Sequence, residues 1–414
     1  MIRQMLWLTT LACTLLAGEV SRNEAAEENV NTRYTVESVR LSGGANDDGL
    51  SRSTRKEMNQ MVGQKLDTHL LERIAIRIQR ELGVESVRVR VGRGTRPEQV
   101  AIQLEIQRRD DRYDLTVPKL AYHSKQGVSG VVETTSEWGA NRALIRYVND
   151  GDLLAERFSG FQGGYQRSRI PGASRLGVQV MAHSFHQQWN PVSGAAAANG
   201  AGLYRNRVAI EPSLNIHLTP GLTWTSGVSV QHLEMQFPAA RTEASNAVIT
   251  TLRYSRRLEG SGDTQQDIEA GYSLRAATHS LGSDFVFARH AVNAAWNLKN
   301  GRHSVRVSAL AGRIGGAAPY YERFVLGNGS TLRGWNKYDI APLGADRAAH
   351  ASAEYRYRAI EVFYDAGSAW QRNSRADARQ SAGVGFRKDS VQLAVAFPFK
   401  NGAIDPVFLL GVNF

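Results

Sequence analysis

The sequence predicts a membrane all-β fold, a transmembrane β-barrel of about 16 strands that follows one small β-α-α-β-β domain. Three observations predict it. From residue 113 onward, segments of about 8 to 14 residues alternate apolar with polar or small side chains, which is typical of barrel strands. An apolar N-terminal stretch indicates export from the cytoplasm. Glycine is plentiful (39) and proline is sparse (11), as suits a β-rich chain with many turns.

Residues 1–26 are predicted to form a cleaved signal peptide. Arg3 precedes an apolar stretch over 5–18, and small residues lie near its end, which is the secretory pattern. The stretch is too short to span a bilayer, and the sequence leaves the cleavage site open. Cys13 is the only cysteine, so the mature chain is expected to hold neither a disulfide nor a zinc site with sulfur ligands.

Residues 33–109 are predicted to form the small domain. Alternation predicts three strands and apolar spacing predicts two helices, over 34–41, 51–62, 67–82, 84–91 and 99–106. Asp67 is the expected N-cap of the second helix, and Gly83 is its expected end. The domain has 15 Lys and Arg against 10 Asp and Glu. That balance suits acidic clients or a membrane surface, and equally ordinary solubility.

Residues 113–414 are predicted to form the barrel. Val208 and Ile210 share one strand face while Arg207 and Glu211 share the other, so one face suits lipid and the other a wet lumen. An even strand number leaves both barrel ends on the side of the small domain. The link 190–202 is an expected extracellular loop, and the longest link, about 314–347, follows the eleventh strand. Strands are expected to start near 115, 127, 141, 154, 173, 204, 221, 246, 265, 284, 302, 347, 359, 380, 390 and 405.

The longest link contains the most distinctive stretch, YERFVLGNGSTLRGWNKYD. It resembles the sixth extracellular loop of the superfamily that includes BamA-type insertases and two-partner-secretion transporters. The loop motif of that superfamily is an aliphatic residue, then Arg-Gly, then Phe or Tyr. Leu332, Arg333, Gly334 and Trp335 match it, with Trp in place of Phe or Tyr. Downstream, EYRYR, VFYDAGSAW, SAGVGFR and LAVAFPF are similar to the last strands of the superfamily, in the same order.

The small domain resembles the polypeptide-transport-associated (POTRA) domain of the same superfamily. The matching segments are VRLSGG after the first strand, GQKL between the helices, ELGVESVRV at the second strand and VAIQLEI as the last strand. In that superfamily such domains are thought to hold unfolded clients by adding a strand to the sheet edge. The best-known members carry two or more, so a single domain favours a narrower client or a dedicated secretion partner over general barrel assembly.

The resemblance implies that the long loop folds back into the lumen, where Arg333 pairs with acids on the barrel wall. Carried over residue by residue, those acids are Glu354 and Asp365. Strand alternation independently predicts that both face the lumen, opposite Tyr355 and Tyr364. A guanidinium in a partly dehydrated lumen favours bidentate carboxylate partners.

The chain ends VFLLGVNF, with Phe408, Leu410, Val412 and Phe414 on one face. This ending resembles the C-terminal assembly signal of outer-membrane barrels. A simple amphipathic last strand is the alternative explanation, and the terminal aromatic residue favours the signal.

The resemblance implies an outer-membrane protein that translocates polypeptides or inserts membrane proteins. The POTRA-like domain would lie in the periplasm and capture unfolded polypeptide clients, which then pass to the seam between first and last strands or through the lumen. Expected surroundings and partners are outer-membrane lipid and lipopolysaccharide, with an accessory periplasmic or lipoprotein partner. Nucleic acid is not an expected partner, because basic residues are spread along the chain. Insertase and secretion transporter both stay open.

An enzyme is not expected. The sequence has no nucleophile elbow, P-loop, HExxH or CxxC motif, so no catalytic residue, metal ligand or cofactor is assigned. His183 and His186 are three residues apart, and strand alternation predicts opposite faces for them.

A passive outer-membrane pore for small solutes is the alternative function. Arg207, Arg275, Arg356 and Arg358 would line a polar lumen suited to anions. The inserted loop would plug such a pore, and the additional small domain would have no purpose in it.

Overall fold

The computed structural model describes residues 33–42, 50–82, 86–107, 112–197, 203–235, 240–259, 264–400 and 405–412. The predicted signal peptide lies outside these residues. The chain forms two compact units, essentially the residues up to Ile106 and those from Gln107 onward.

The small domain has the predicted order of elements. Both of its helices begin at N-caps, because the side chain of Ser51 accepts from Thr54 N and that of Asp67 accepts from Leu70 N. Gly83 lies outside the described residues. The elements are β1 (Thr35–Ser42), α1 (Arg52–Met61), α2 (Thr68–Leu82), β2 (Ser86–Arg93) and β3 (Gln99–Gln107).

The three strands form one sheet in the order β1-β3-β2, with β1 parallel to β3. Ile74 and Ile78 on α2 and Ile102 and Leu104 on β3 are almost inaccessible to solvent. Burial of these apolar side chains stabilises the domain and leaves the opposite face of the sheet open.

The second unit is a closed antiparallel barrel. In the described residues sixteen strands form its wall, and one additional short strand, Arg241–Ala244, pairs with the end of a wall strand. Every wall strand starts within three residues of its predicted start. The strands are β4 (Arg112–His123), β5 (Gly127–Trp138), β6 (Asn141–Asp150), β7 (Arg157–Arg167), β8 (Leu176–Gln188), β9 (Tyr204–Thr219), β10 (Leu222–Met235), β11 (Arg241–Ala244), β12 (Ala247–Glu259), β13 (Thr264–Ala277), β14 (Val286–Asn300), β15 (His303–Ala317), β16 (Arg347–Tyr357), β17 (Ile360–Trp370), β18 (Arg379–Lys388), β19 (Val391–Pro398) and β20 (Val407–Val412).

The two faces of the wall differ as the alternation predicts. Val208 and Ile210 are about half exposed on the outside, whereas Arg207 is buried on the inside. Arg358 is an exception to the expected lumen lining, since it lies in the turn between β16 and β17 with a φ of 57°. A turn is needed at that point because the chain reverses direction to pair β16 with β17.

Two links carry short helices. Helix α3 (Pro191–Ala197) lies in the link expected over 190–202, and α4 (Lys337–Ile340) lies in the longest link. That link is shorter than predicted, residues 318–346, because β15 continues to Ala317. Among the described residues, no helix has the length and apolar character needed to cross a membrane.

Candidate functional site

Residues 318–346, called the inserted loop from here on, fold against the inner face of the barrel. Phe324, Leu326 and Leu332 are at most 4% exposed and form one apolar cluster with wall residues such as Phe287 and Ile314. The Phe324 ring lies against Gly312 of β15, where any side chain would collide with it. The loop is therefore a packed part of the barrel interior.

Arg333 and Asp365 form a buried bidentate ion pair. The Arg333 side chain donates from Nε to one oxygen of Asp365 at 2.9 Å and from Nη2 to the other at 2.8 Å. The backbone N–H of Arg333 donates to the same carboxylate at 2.9 Å. Arg333 is 5% exposed and Asp365 is fully buried. Charge-assisted pairs of this geometry are among the strongest polar contacts in proteins.

Two further carboxylates reach the same guanidinium. Arg333 Nη1 lies 2.8 Å from Glu354 Oε1 and 3.8 Å from Glu361 Oε1. The structure thus brings together the three residues that the sequence analysis paired and adds Glu361, which it missed. The signal was available, because Glu361 and Asp365 share one face of β17. The Phe363 ring lies between them on that face, with its centroid 3.7 Å from Arg333 Cζ.

Contacts of the backbone hold the motif in place. Leu332 N donates to His350 Nε2 at 3.0 Å, and Ser381 Oγ donates to the carbonyl of Arg333. Gly334 has a φ of 91°, and a Cβ there would come within 3.3 Å of atoms on β18 and β19. The backbone conformation therefore favours glycine, and the space for a side chain is tight.

Trp335 occupies the motif's aromatic position. It is 7% exposed, and its Nε1 donates to the carbonyl of Gln380 on β18 at 2.9 Å. Arg379 and Lys400 lie over its ring, at 4.6 and 5.1 Å from the centroid. The indole N–H thus contributes a hydrogen bond to the wall that a Phe at this position would lack.

A second charged contact of the loop has the opposite polarity. Glu322 Oε1 lies 3.2 Å from Arg275 Nε on β13, and its backbone carbonyl accepts from Arg289 Nε on β14 at 2.7 Å. Arg275 also pairs with Glu211 on β9. Sequence reasoning missed this contact, because neither strand pattern nor motif relates Glu322 to these arginines.

The loop also contacts the links that follow the first barrel strands. Lys337 on α4 is 1% exposed and donates from Nζ to the carbonyls of Gly151 and Leu154, and burial lowers its pKa to about 8 against the raising effect of Asp152. Gly329 N donates to Asp152 Oδ1 at 2.9 Å. Gly151, Asp152 and Leu154 belong to the link between β6 and β7. The inserted loop therefore connects the first and last parts of the wall.

The seam, the pairing of β20 with β4, closes the barrel. Among the described residues it comprises four residue pairs, from Leu409 opposite His123 to Val412 opposite Leu120, whereas β13 and β14 share fourteen. Of the predicted assembly signal, Phe408 and Leu410 face outward and are about half exposed, and Val412 is partly buried. Phe414 lies outside the described residues.

The chemistry of this interior is that of ion pairs. Within the described ranges no three His, Cys, Asp or Glu side chains group as a metal site requires. His183 and His186 lie on opposite faces of β8, since His183 stacks on the buried Phe185 while His186 is exposed. The arrangement can fasten a loop to the wall, and in the described residues the seam has fewer residue pairs than any other two neighbouring wall strands.

Comparison with solved structures finds similar barrels. The structure of BamA from Haemophilus ducreyi lacking POTRA domains 1-3 superposes with a TM-score of 0.62 at 16% identity, covering 92% of this chain and 84% of that one. CdiB from Escherichia coli gives 0.54 at 12% identity, and CdiB from Acinetobacter baumannii gives 0.55 at 13%. Each covers 92% of this chain, with 76% and 74% of the other covered. A comparison with curated protein sequences finds no match.

The family comparison covers most of the barrel. The model of the Omp85 superfamily domain matches residues 164–408, a range that includes the inserted loop, the Arg333 cluster and the first two residues of β20. A barrel of this type resides in the outer membrane. The match spans more than half of the chain, and the chain therefore belongs to the Omp85 superfamily.

Proposed function

We propose that this protein inserts or translocates unfolded polypeptides at the outer membrane, and that the seam is where a client strand engages. The observation that carries the proposal is the shortness of the seam. Strand β4 has twelve residues, and four of them pair with β20 within the described part of the chain. Among the described residues, Arg112–Lys119 has no strand partner on the β20 side. Unpaired N–H and C=O groups at a strand edge readily template another strand.

The inserted loop supports the same proposal and weakens the passive-pore alternative. It occupies the lumen at the level of the Arg333 cluster and connects wall regions on both sides of the seam. A loop in this position obstructs free diffusion of solutes. Because it contacts both sides, opening of the seam and movement of the loop are coupled in this proposal.

The small domain is assigned the capture step. Its strand β2 is one of the two edge strands of the sheet, and no further strand pairs with its outer edge in the described part of the domain. An extended client can add to such an edge through main-chain hydrogen bonds, which give affinity with little dependence on sequence. In this proposal the domain lies in the periplasm and delivers the client to the barrel.

The proposal is tested by locking the seam with a disulfide. Ala121 and Gly411 are paired across the seam, so Ala121→Cys with Gly411→Cys places two sulfurs within bonding range. We expect the oxidised variant in liposomes to lose its acceleration of folding of an unfolded barrel client, measured by protease protection. Reduction should restore it.

The matched control is Ser273→Cys with Ala291→Cys, a paired position between β13 and β14 that should be active in both redox states. A locked seam variant that still passes a secreted polypeptide through the liposome membrane would assign the lumen as the route. Liposomes that neither fold nor translocate any client faster than empty ones would contradict the proposed function.

A further inference from the structure

The open face of the small domain's sheet is basic. Arg40 on β1 and Arg88, Arg90 and Arg93 on β2 are exposed there or at its end, against the carboxylates of Glu37 and Glu105 on the described strands. Glu105 is paired with Arg90 at 3.0 Å. The face therefore carries a surplus of positive charge beside the free edge of β2.

The basic residues surround a built groove. An open groove of about 810 Å³ runs over this face, lined by Arg40, Arg90 and Arg93. The small residues Ser38 and Ala101 also line it, so the groove has room for side chains from another molecule. These residues belong to all three strands of the sheet.

The acid at one end of the groove is already engaged. Glu37 accepts hydrogen bonds from Thr95 N and Oγ1, and these bonds lower the pKa of its carboxyl. Gly94 beside it has no space for a Cβ, which would collide with the Glu37 carboxylate. Because the Glu37 carboxylate is hydrogen-bonded to Thr95 in the β2–β3 turn, it neutralises little of the charge of the arginines on the other side of the groove.

Strand β2 presents its side chains in alternation. Arg88 and Arg90 are exposed on the open face, whereas Val87 and Val89 are partly buried toward the helices. A strand added to the free edge of β2 would place every second side chain beside the arginines, about 7 Å apart. Its intervening side chains would continue the valine row, where apolar residues pair well across strands.

We propose that this edge and groove bind extended polypeptide segments in which acidic residues alternate with apolar ones. This inference rests on the proposed function and specifies its client class. Opposite charges directly across a strand pair stabilise it and like charges destabilise it, so the arginine row selects against basic strands. The valine row selects for the amphipathic alternation that a barrel strand itself requires.

The test is peptide binding to the full-length protein in detergent micelles, followed by fluorescence anisotropy. The probes are labelled eleven-residue peptides of alternating Glu and Val, of alternating Lys and Val, and of Glu and Val in two separate blocks. We expect the alternating Glu peptide to bind at least about ten-fold more tightly than either other peptide, and less tightly at high salt. N-methylation of alternate residues on the edge-facing side should abolish binding, since it removes the main-chain donors.

The diagnostic variant is Arg88→Gln with Arg90→Gln, which should remove the preference for acid. The control is Lys56→Gln with Arg73→Gln, an equal change of charge at exposed positions on the two helices, which should retain it. Equal binding of the Glu and Lys peptides, or an acid preference that survives the Arg88 and Arg90 changes, would overturn the inference. So would binding of anionic lipid vesicles through these arginines without any peptide binding.

Equilibrium binding separates this inference from the proposed function. If the wild-type protein shows no preference for the acidic peptide but still inserts its clients, the inference alone is refuted. If the protein prefers the acidic peptide but neither inserts nor translocates any client, the proposed function is refuted. The outer edge of β2 would then be a peptide-binding site that serves a different function.

Discussion

At the scale of single residues, Arg333 decides how the interior is held. It is the cation for three carboxylates, of which Asp365 is fully buried and Glu361 nearly so. Removing one partner of a buried pair leaves the others without compensation, which costs more than the pair itself contributed. The charge balance of β16 and β17 therefore depends on a residue that neither strand contains.

We expect Arg333→Ala to lower the free energy of unfolding by about 3–5 kcal/mol, because Asp365 would remain buried without its cation. Arg333→Lys should recover part of this loss, since an ammonium keeps the charge but not the bidentate geometry. Urea unfolding in detergent, followed by circular dichroism, measures both changes. Arg306→Ala removes an exposed arginine of β15 and serves as the control. Equal stability of Arg333→Ala and this control would contradict the buried-pair account.

At the scale of elements, the inserted loop is fastened at three places by different chemistry. Arg333 is a loop cation among wall anions, Glu322 is a loop anion among wall cations, and Lys337 donates to backbone carbonyls. Apolar burial of Phe324, Leu326 and Leu332 lies between these contacts. Because the contacts are spread over the loop, losing one should loosen part of the loop and leave the rest in place.

We expect Glu322→Gln to expose the first part of the loop without unfolding the barrel. The amide keeps the shape but loses the charge that compensates Arg275 and Arg289. Limited trypsin digestion checks this, because Arg323 is adjacent and should be cut several-fold faster in the variant. Glu243→Gln, on the short β11 and paired with Arg241, is a control that should leave this cleavage unchanged. Unchanged cleavage at Arg323 in Glu322→Gln would show that apolar packing alone holds this part of the loop.

At the scale of the whole molecule, the barrel combines a short seam with a filled lumen. The loop joins the link after β6 to the wall at β16 and β17, so it spans the interior across the seam. The described seam has four residue pairs against the fourteen between β13 and β14, so in the proposed function its closure depends more on this internal connection. In the proposed function, a barrel built this way is closed at rest and opens when the loop moves.

We expect single-channel recordings of the purified protein in planar bilayers to show small, flickering currents. Arg333→Ala should give larger or less stable currents, because release of the motif frees the lumen. A steady large conductance that the substitution leaves unchanged would contradict the loop's blocking role and favour a passive pore for small solutes.

The sequence by itself determined the architecture of the barrel. Alternation is a local property with a period of two, so it locates each strand and separates the lipid face from the lumen face without knowledge of the partners. Val208 and Arg207 were assigned to the correct faces for this reason. The loop motif was found through the resemblance, and Glu361 was missed although it obeys the same alternation as Asp365.

Only the tertiary structure decided which residues meet across the interior. The contacts of Glu322 with Arg275, of Lys337 with the carbonyls of Gly151 and Leu154, and of Gly329 with Asp152 join segments far apart in the chain. No local period encodes them, because the loop's path depends on the space left by the closed wall. The four-pair seam is likewise a product of closure, since the register between first and last strands is set when the barrel curves round to meet itself.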